Sequence, residues 1–226
     1  MRPLAAIKAW SGRKRAVYGC SSAVLLIVVV ALVVHALKPE APSNPAVLAA
    51  AYALPNGGGY GGRSDTGVPA DVAYGGKTVL ARSRKGDTYC CGFTFAVAMR
   101  VAAERGLMSG HSFEEVKRFQ REWYGAVKES GDRLVTVAVK NLGIGREVDR
   151  HDARPGDFVQ FWRTNDSGHS VVFLEWVVRD GQAVGIRYRS SQPQTMGVGD
   201  HVEFFAGTTM PDAWVDAKRI YVARLD

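Results

Sequence analysis

The residues best suited to chemistry are two adjacent cysteines in the stretch Asp87-Thr88-Tyr89-Cys90-Cys91-Gly92-Phe93-Thr94-Phe95. From Phe93 onward, Phe93, Val97 and Val101 recur every four residues, the pattern of a helix with one buried face. A loop therefore turns into a helix at the cysteines, and Cys90 falls in the N-terminal turn. Unpaired backbone N–H groups and the positive end of the helix dipole gather there, and both stabilise a thiolate and lower a thiol pKa. Thiolate is the nucleophilic form. A structural role competes with this one, because free cysteine is among the most buried residue types. A catalytic cysteine needs a histidine from elsewhere in the chain.

Beyond the N-terminal region the histidines are His111, His151, His169 and His201. His169 has the setting of a general base: Asp166-Ser167-Gly168-His169-Ser170 leads directly into the apolar run Val171 to Val178, so a loop delivers it to the mouth of a strand. The other three stand in contexts that suit solvated or structural histidines. Arg179-Asp180-Gly181-Gln182 puts Asp-Gly at the centre of a two-residue hairpin turn. If Arg179 pairs with Gln182, His169 falls opposite Gln192, and an amide oxygen there would accept a ring N–H and fix the imidazole tautomer. A bulge would shift the pairing to Ser191. Gln192 also reads as a polar strand end before Pro193.

Three motifs in order, Cys90-Cys91-Gly92-Phe93, then Arg154-Pro155-Gly156-Asp157-Phe158, then Gly168-His169-Ser170-Val171, resemble the NlpC/P60 and CHAP groups of papain-like cysteine peptidases and amidases. The resemblance covers roughly residues 80 to 192. It implies a papain-like α+β fold with Cys90 as nucleophile, His169 as base and Gln192 as polar orienter. It also implies attack on an amide carbonyl, with the Cys90 backbone N–H helping to hold the oxyanion. The pattern departs at Tyr89 and Cys91, where the NlpC/P60 groups usually carry Asp and Ser, so Cys90 and Cys91 both stay candidates. Counting back three from Phe93 selects Cys90, with Cys91 projecting away around the helix.

The elements that must position these residues are legible in the same way. Ser112-Phe113-Glu114-Glu115 has capping-box spacing and opens a helix to about Tyr124, and a third helix runs from Arg133 to Leu142 before Gly143. Strands follow over 157–162, 170–178, 184–191, 202–205 and 219–224, rich in Val, Ile, Phe, Tyr and Trp. Helices followed by an antiparallel sheet predict an α+β domain over residues 77–226. Residues 38–76, punctuated by Pro39, Pro42, Pro45, Pro55 and a glycine run, read as a tether.

Residues 16–37 carry no Lys, Arg, Asp or Glu and follow a basic stretch, 1–15. That is the pattern of a single-pass transmembrane or signal-anchor segment with the C-terminal domain outside the cytoplasm; secretion after leader cleavage is the alternative. Six of the 29 Lys and Arg but one of the 22 Asp and Glu lie in residues 1–40, which leaves 23 against 21 beyond them. The basic excess is thus an orientation signal, and no nucleic-acid partner is expected. No metal or other cofactor is expected, because neither His-Glu-x-x-His nor Cys-x-x-Cys spacing occurs. An exported domain of this kind fits a peptidoglycan or peptide substrate. Acyl or peptidyl transfer on the same scaffold, or an inactive envelope-binding module, is the alternative function.

Overall fold

A computed structural model of the protein describes residues 44–61 and 65–226. The expected anchor at 16–37 lies outside these residues; among the described ones, no helix is long and apolar enough to cross a membrane. Among the described residues the architecture is α+β, with four α-helices and a large, mainly antiparallel sheet.

The helices are α1 Asn44–Tyr52, α2 Cys90–Glu104, α3 Phe113–Trp123 and α4 Leu134–Leu142. Helix α3 starts with the expected reciprocal cap, Ser112 accepting from the Glu115 N–H while the Glu115 carboxylate accepts from the Ser112 N–H. Helix α4 stops at Gly143, whose φ of 74° suits glycine. Helix α2 departs from the expected one-sided burial. From Cys90 to Ala102 all its residues except Ala96 and Arg100 are buried, so it is a central helix with packing on most sides.

The strands are β1 Gly57–Gly58, β2 Val72–Tyr74, β3 Lys77–Leu80, β4 Gly145–Val148, β5 Phe158–Arg163, β6 Gly168–Arg179, β7 Gln182–Gln192, β8 Gly197–Phe205 and β9 Ala213–Leu225. Their order in the main sheet is β1-β8-β7-β6-β5-β9-β4, and a short parallel pairing of β8 with β9 joins the ends of the β5–β9 run. The result is a small closed sheet. Alternation along its strands separates two cores. Val159, Phe161, Val171, Phe173, Ile186 and Tyr188 fill the inside. Phe158, Val172 and Ala223 face the helices, joining Phe93, Phe95, Phe119 and Trp123.

The stretch expected as a tether is largely part of this domain. Val47, Ala50 and Ala51 of α1 are buried in the helical core, β1 pairs with β8, and β2 and β3 form a hairpin turning at Gly75-Gly76. Two buried charged residues far away in sequence hold α1. Asp157 accepts from Asn44 Nδ2 at 2.8 Å. Arg189 donates to the Ala51 and Leu54 carbonyls at 3.0 and 2.8 Å, satisfying acceptors that the end of a helix leaves open. The glycine run is likewise a packing device. A Cβ on Gly197 would collide with the Gly57 carbonyl, so the two backbones approach as only glycine allows.

Candidate active site

The structure brings Cys90, His169 and Gln192 to the walls of one cavity of about 480 Å³, which Tyr60, Gln160 and Trp162 also line. Cys90 is the first residue of α2, as expected. Tyr89 precedes it as the N-cap residue in extended conformation, and its side chain makes no cap hydrogen bond to the helix. Gly92 is required sterically. A Cβ there would run into the Gly67 carbonyl, and Gly67 in turn accepts from the Tyr89 N–H, so a loop from the amino-terminal half crosses tightly over the first turn.

His169 is the second residue of β6, paired with Phe161 of β5. Its ring sits edge-on between Phe161 and Tyr188, with centroids 5.5 and 5.2 Å away. It is buried, and its Nε2 has no hydrogen-bond partner.

Helix and strand are locked together beside both reactive groups, at the Cys90 carbonyl and at Ser170, the residue after His169. Thr94 gives its single hydroxyl proton to the Cys90 carbonyl at 3.0 Å, so in its 2.8 Å contact with Ser170 the serine hydroxyl is the donor. Trp123 Nε1 donates to the same Thr94 oxygen at 3.1 Å. One buried hydroxyl therefore joins the start of α2, the end of α3 and the residue after His169. Thr88 and Ser191, with hydroxyls 2.8 Å apart, make a second tie between the loop before Cys90 and β7.

The Cys90 thiol pKa is held well below its ordinary value. The largest cause is hydrogen bonding from the Cys91 thiol; burial opposes it, and hydrogen bonding and charge from His169, with a smaller contribution from the Ser170 N–H, complete the shift. The expectation that Cys91 projects away is corrected here. Its sulfur lies 3.9 Å from that of Cys90 and it lines the same cavity, because both residues sit in a first turn with the sheet on one side and the Gly67 loop on another. Neither Cys90 nor Cys91 is joined in a disulfide.

Gln192 reaches the site but makes no hydrogen bond to His169. The hairpin register does run as the Asp180-Gly181 turn implies at both ends, Arg179 opposite Gln182 and Val172 opposite Arg189. Between them one bulge on β7 and a second on β6 shift the pairing and cancel. The Gln192 amide group instead donates to Thr195 Oγ1 and the Gly199 carbonyl, and its Oε1 is buried without a partner. It therefore pins the turn between β7 and β8.

Several contributors to the site carry no sequence signal. Behind His169, Tyr188 donates to Glu203 at 2.6 Å, and Arg163 binds both oxygens of that carboxylate at 2.6 Å. Burial pushes the Glu203 carboxyl up, but Arg163, the nearby His169 charge and Tyr188 outweigh it and hold it below the usual range. Pro155-Gly156-Asp157, part of the motif, is structural: Arg224 grips both Asp157 oxygens at 2.8 Å, and the backbone N–H of Arg154 adds a fourth donor after Asn44. His201 lies inside β8 rather than opening it, 6.0 Å from the Tyr188 ring, and burial lowers its pKa. Among the described residues, no three metal-ligating side chains come together.

Compared with known proteins, the chain matches no family model, no curated protein and no solved structure.

Proposed function

We propose that this protein is a papain-like cysteine hydrolase of amide bonds, with Cys90 as nucleophile and His169 as base. The observation that carries the reading is the Cys90 thiol, depressed in pKa at an uncapped helix start and next to a histidine in the wall of a cavity. Cys90 thiolate attacks the amide carbon, and the carbonyl electrons move onto oxygen, which the Cys90 backbone N–H would help to hold. His169, as imidazolium, protonates the leaving nitrogen, and the amine departs from a thioester. Neutral His169 then takes a proton from water as it attacks the thioester, restoring the thiol and releasing the acid. Gln192, which makes no hydrogen bond to His169, has a structural part in this reading, pinning the turn beside the site.

The substrate we propose is a stem-peptide or glycan-to-peptide amide of peptidoglycan. Support comes from the uncharged, basic-flanked segment at 16–37, which would place the domain outside the cytoplasm. The test is to incubate full-length protein, held in detergent, with purified cell wall and identify new amino groups by mass spectrometry. New termini from wild type and none from Cys90→Ala are expected. Equal release from both proteins would exclude Cys90 chemistry.

A further inference from the structure

A second groove, of about 490 Å³, continues from the catalytic cavity: Arg163 and Gln194 line both. Both volumes fall within the roughly 300–1,000 Å³ usual for ligand sites. Trp214, on β9, lines this groove and is 53% exposed, one of few large apolar side chains left in water among the described residues. Its backbone is fixed, since its carbonyl accepts from the Thr164 N–H at 2.9 Å. A half-exposed tryptophan on a held backbone thus presents a flat apolar face in a groove that shares Arg163 and Gln194 with the Cys90 cavity.

We infer that this groove is a saccharide subsite, with Trp214 as the platform on which a sugar ring stacks. The axial C–H bonds of a pyranose carry partial positive charge and lie flat against the negative face of an indole. Its hydroxyls need neutral or singly charged hydrogen-bonding groups around the rim, and Asn165, Gln194, His201 and Asp212 line the groove. The charges already there are mostly satisfied. Arg163 and Glu203 are bound to each other through two hydrogen bonds, and burial keeps His201 toward its neutral form, so the groove suits an uncharged polyol over a phosphate. A peptide strand is less well served. The outer edge of β8 is already paired with β1 at Gly197–Val198 and with β9 at Phe204–Phe205, which leaves a short gap for added pairing.

This inference rests on the proposed hydrolase reading for its biological sense, since a sugar next to the scissile amide would occupy the groove. Its test does not depend on turnover. Full-length protein in detergent is titrated calorimetrically with a β-1,4-linked tetramer of N-acetylglucosamine, and separately with a neutral tetrapeptide. We expect saturable binding of the sugar, weakened about tenfold or more in Trp214→Ala and partly kept in Trp214→Phe. Melting curves of each variant check that the fold persists; if Trp214→Ala does not fold, the Phe variant and Asn165→Ala carry the comparison. Absence of sugar binding, binding unchanged by every groove variant, or Trp214-dependent binding of the peptide alone would overturn the subsite. Any of these results would leave hydrolysis by Cys90 standing, and sugar binding without hydrolysis would leave the subsite standing.

Discussion

The sulfur of Cys90 lies 3.9 Å from that of Cys91, its neighbour in the same first helical turn, and this contact is the largest cause of the depressed Cys90 pKa. A thiol that donates to a thiolate stabilises the charged form, so Cys91 makes its neighbour more acidic. The pH dependence follows. Wild-type Cys90 should react with iodoacetamide at pH values below the ordinary thiol pKa of about 8.5. Cys91→Ala removes the donor, and the midpoint of alkylation should move upward, whereas Cys91→Ser keeps an O–H donor and should move it less. Mass-spectrometric measurement of label on Cys90 against pH decides this; if Cys91 is the faster site, the nucleophile is reassigned by one residue.

His169→Ala should lower turnover by about 10²–10⁴-fold, the range for loss of a general acid–base. Because His169 also lowers the thiol pKa, the same variant should raise the alkylation midpoint of Cys90. A rate loss with an unmoved midpoint would mean that His169 serves substrate binding rather than the thiol.

Gln192→Ala separates two roles for that amide. With its protons given to Thr195 and Gly199, its removal should cost about 1–3 kcal/mol of stability, read by denaturant melts, through unsatisfied buried acceptors. Turnover should fall less than for His169→Ala, and the Cys90 alkylation midpoint should stay in place. A midpoint displaced as far as in His169→Ala would show that the imidazole depends directly on the amide.

Asp157→Asn keeps the shape but leaves Arg224 buried without its counter-charge. Breaking a buried pair from one side costs about 3–5 kcal/mol, and the loss should appear as a lower denaturation midpoint. Arg224→Lys, which replaces a two-pronged contact by a point charge, should not restore it. A variant as stable as wild type would show that the contact is dispensable.

A fragment beginning at Lys77 loses α1, β1 and β2 and with them the groups that Asp157 and Arg189 bind. It should show lost near-ultraviolet circular dichroism and rapid proteolysis, while one beginning at Pro42 should resist both. Equal resistance would mean that the amino-terminal segment is peripheral to the fold.

The sequence by itself determined the local and periodic features. The Ser112 cap, the Gly143 stop, the start of α2 at Cys90 and the Asp180-Gly181 turn are each set by residues within a few positions of one another, and all stand where expected. That is also why Cys90 and His169 were legible: each sits at the beginning of an element whose pattern announces it. Only the tertiary structure decided the rest. Arg189 caps α1 across 138 positions and Asp157 binds Asn44 across 113, so a segment punctuated by proline and glycine is ordered by partners that no local window contains. The turn fixes the pairing of Arg179 with Gln182, but whether Gln192 bonds to His169 depends on the acceptors of the next turn, which capture its amide first. Cys91, Glu203 and Trp214 gain their places from the closure of β8 against β9 and the packing of α2 on the sheet, a three-dimensional arrangement that spacing along the chain does not encode.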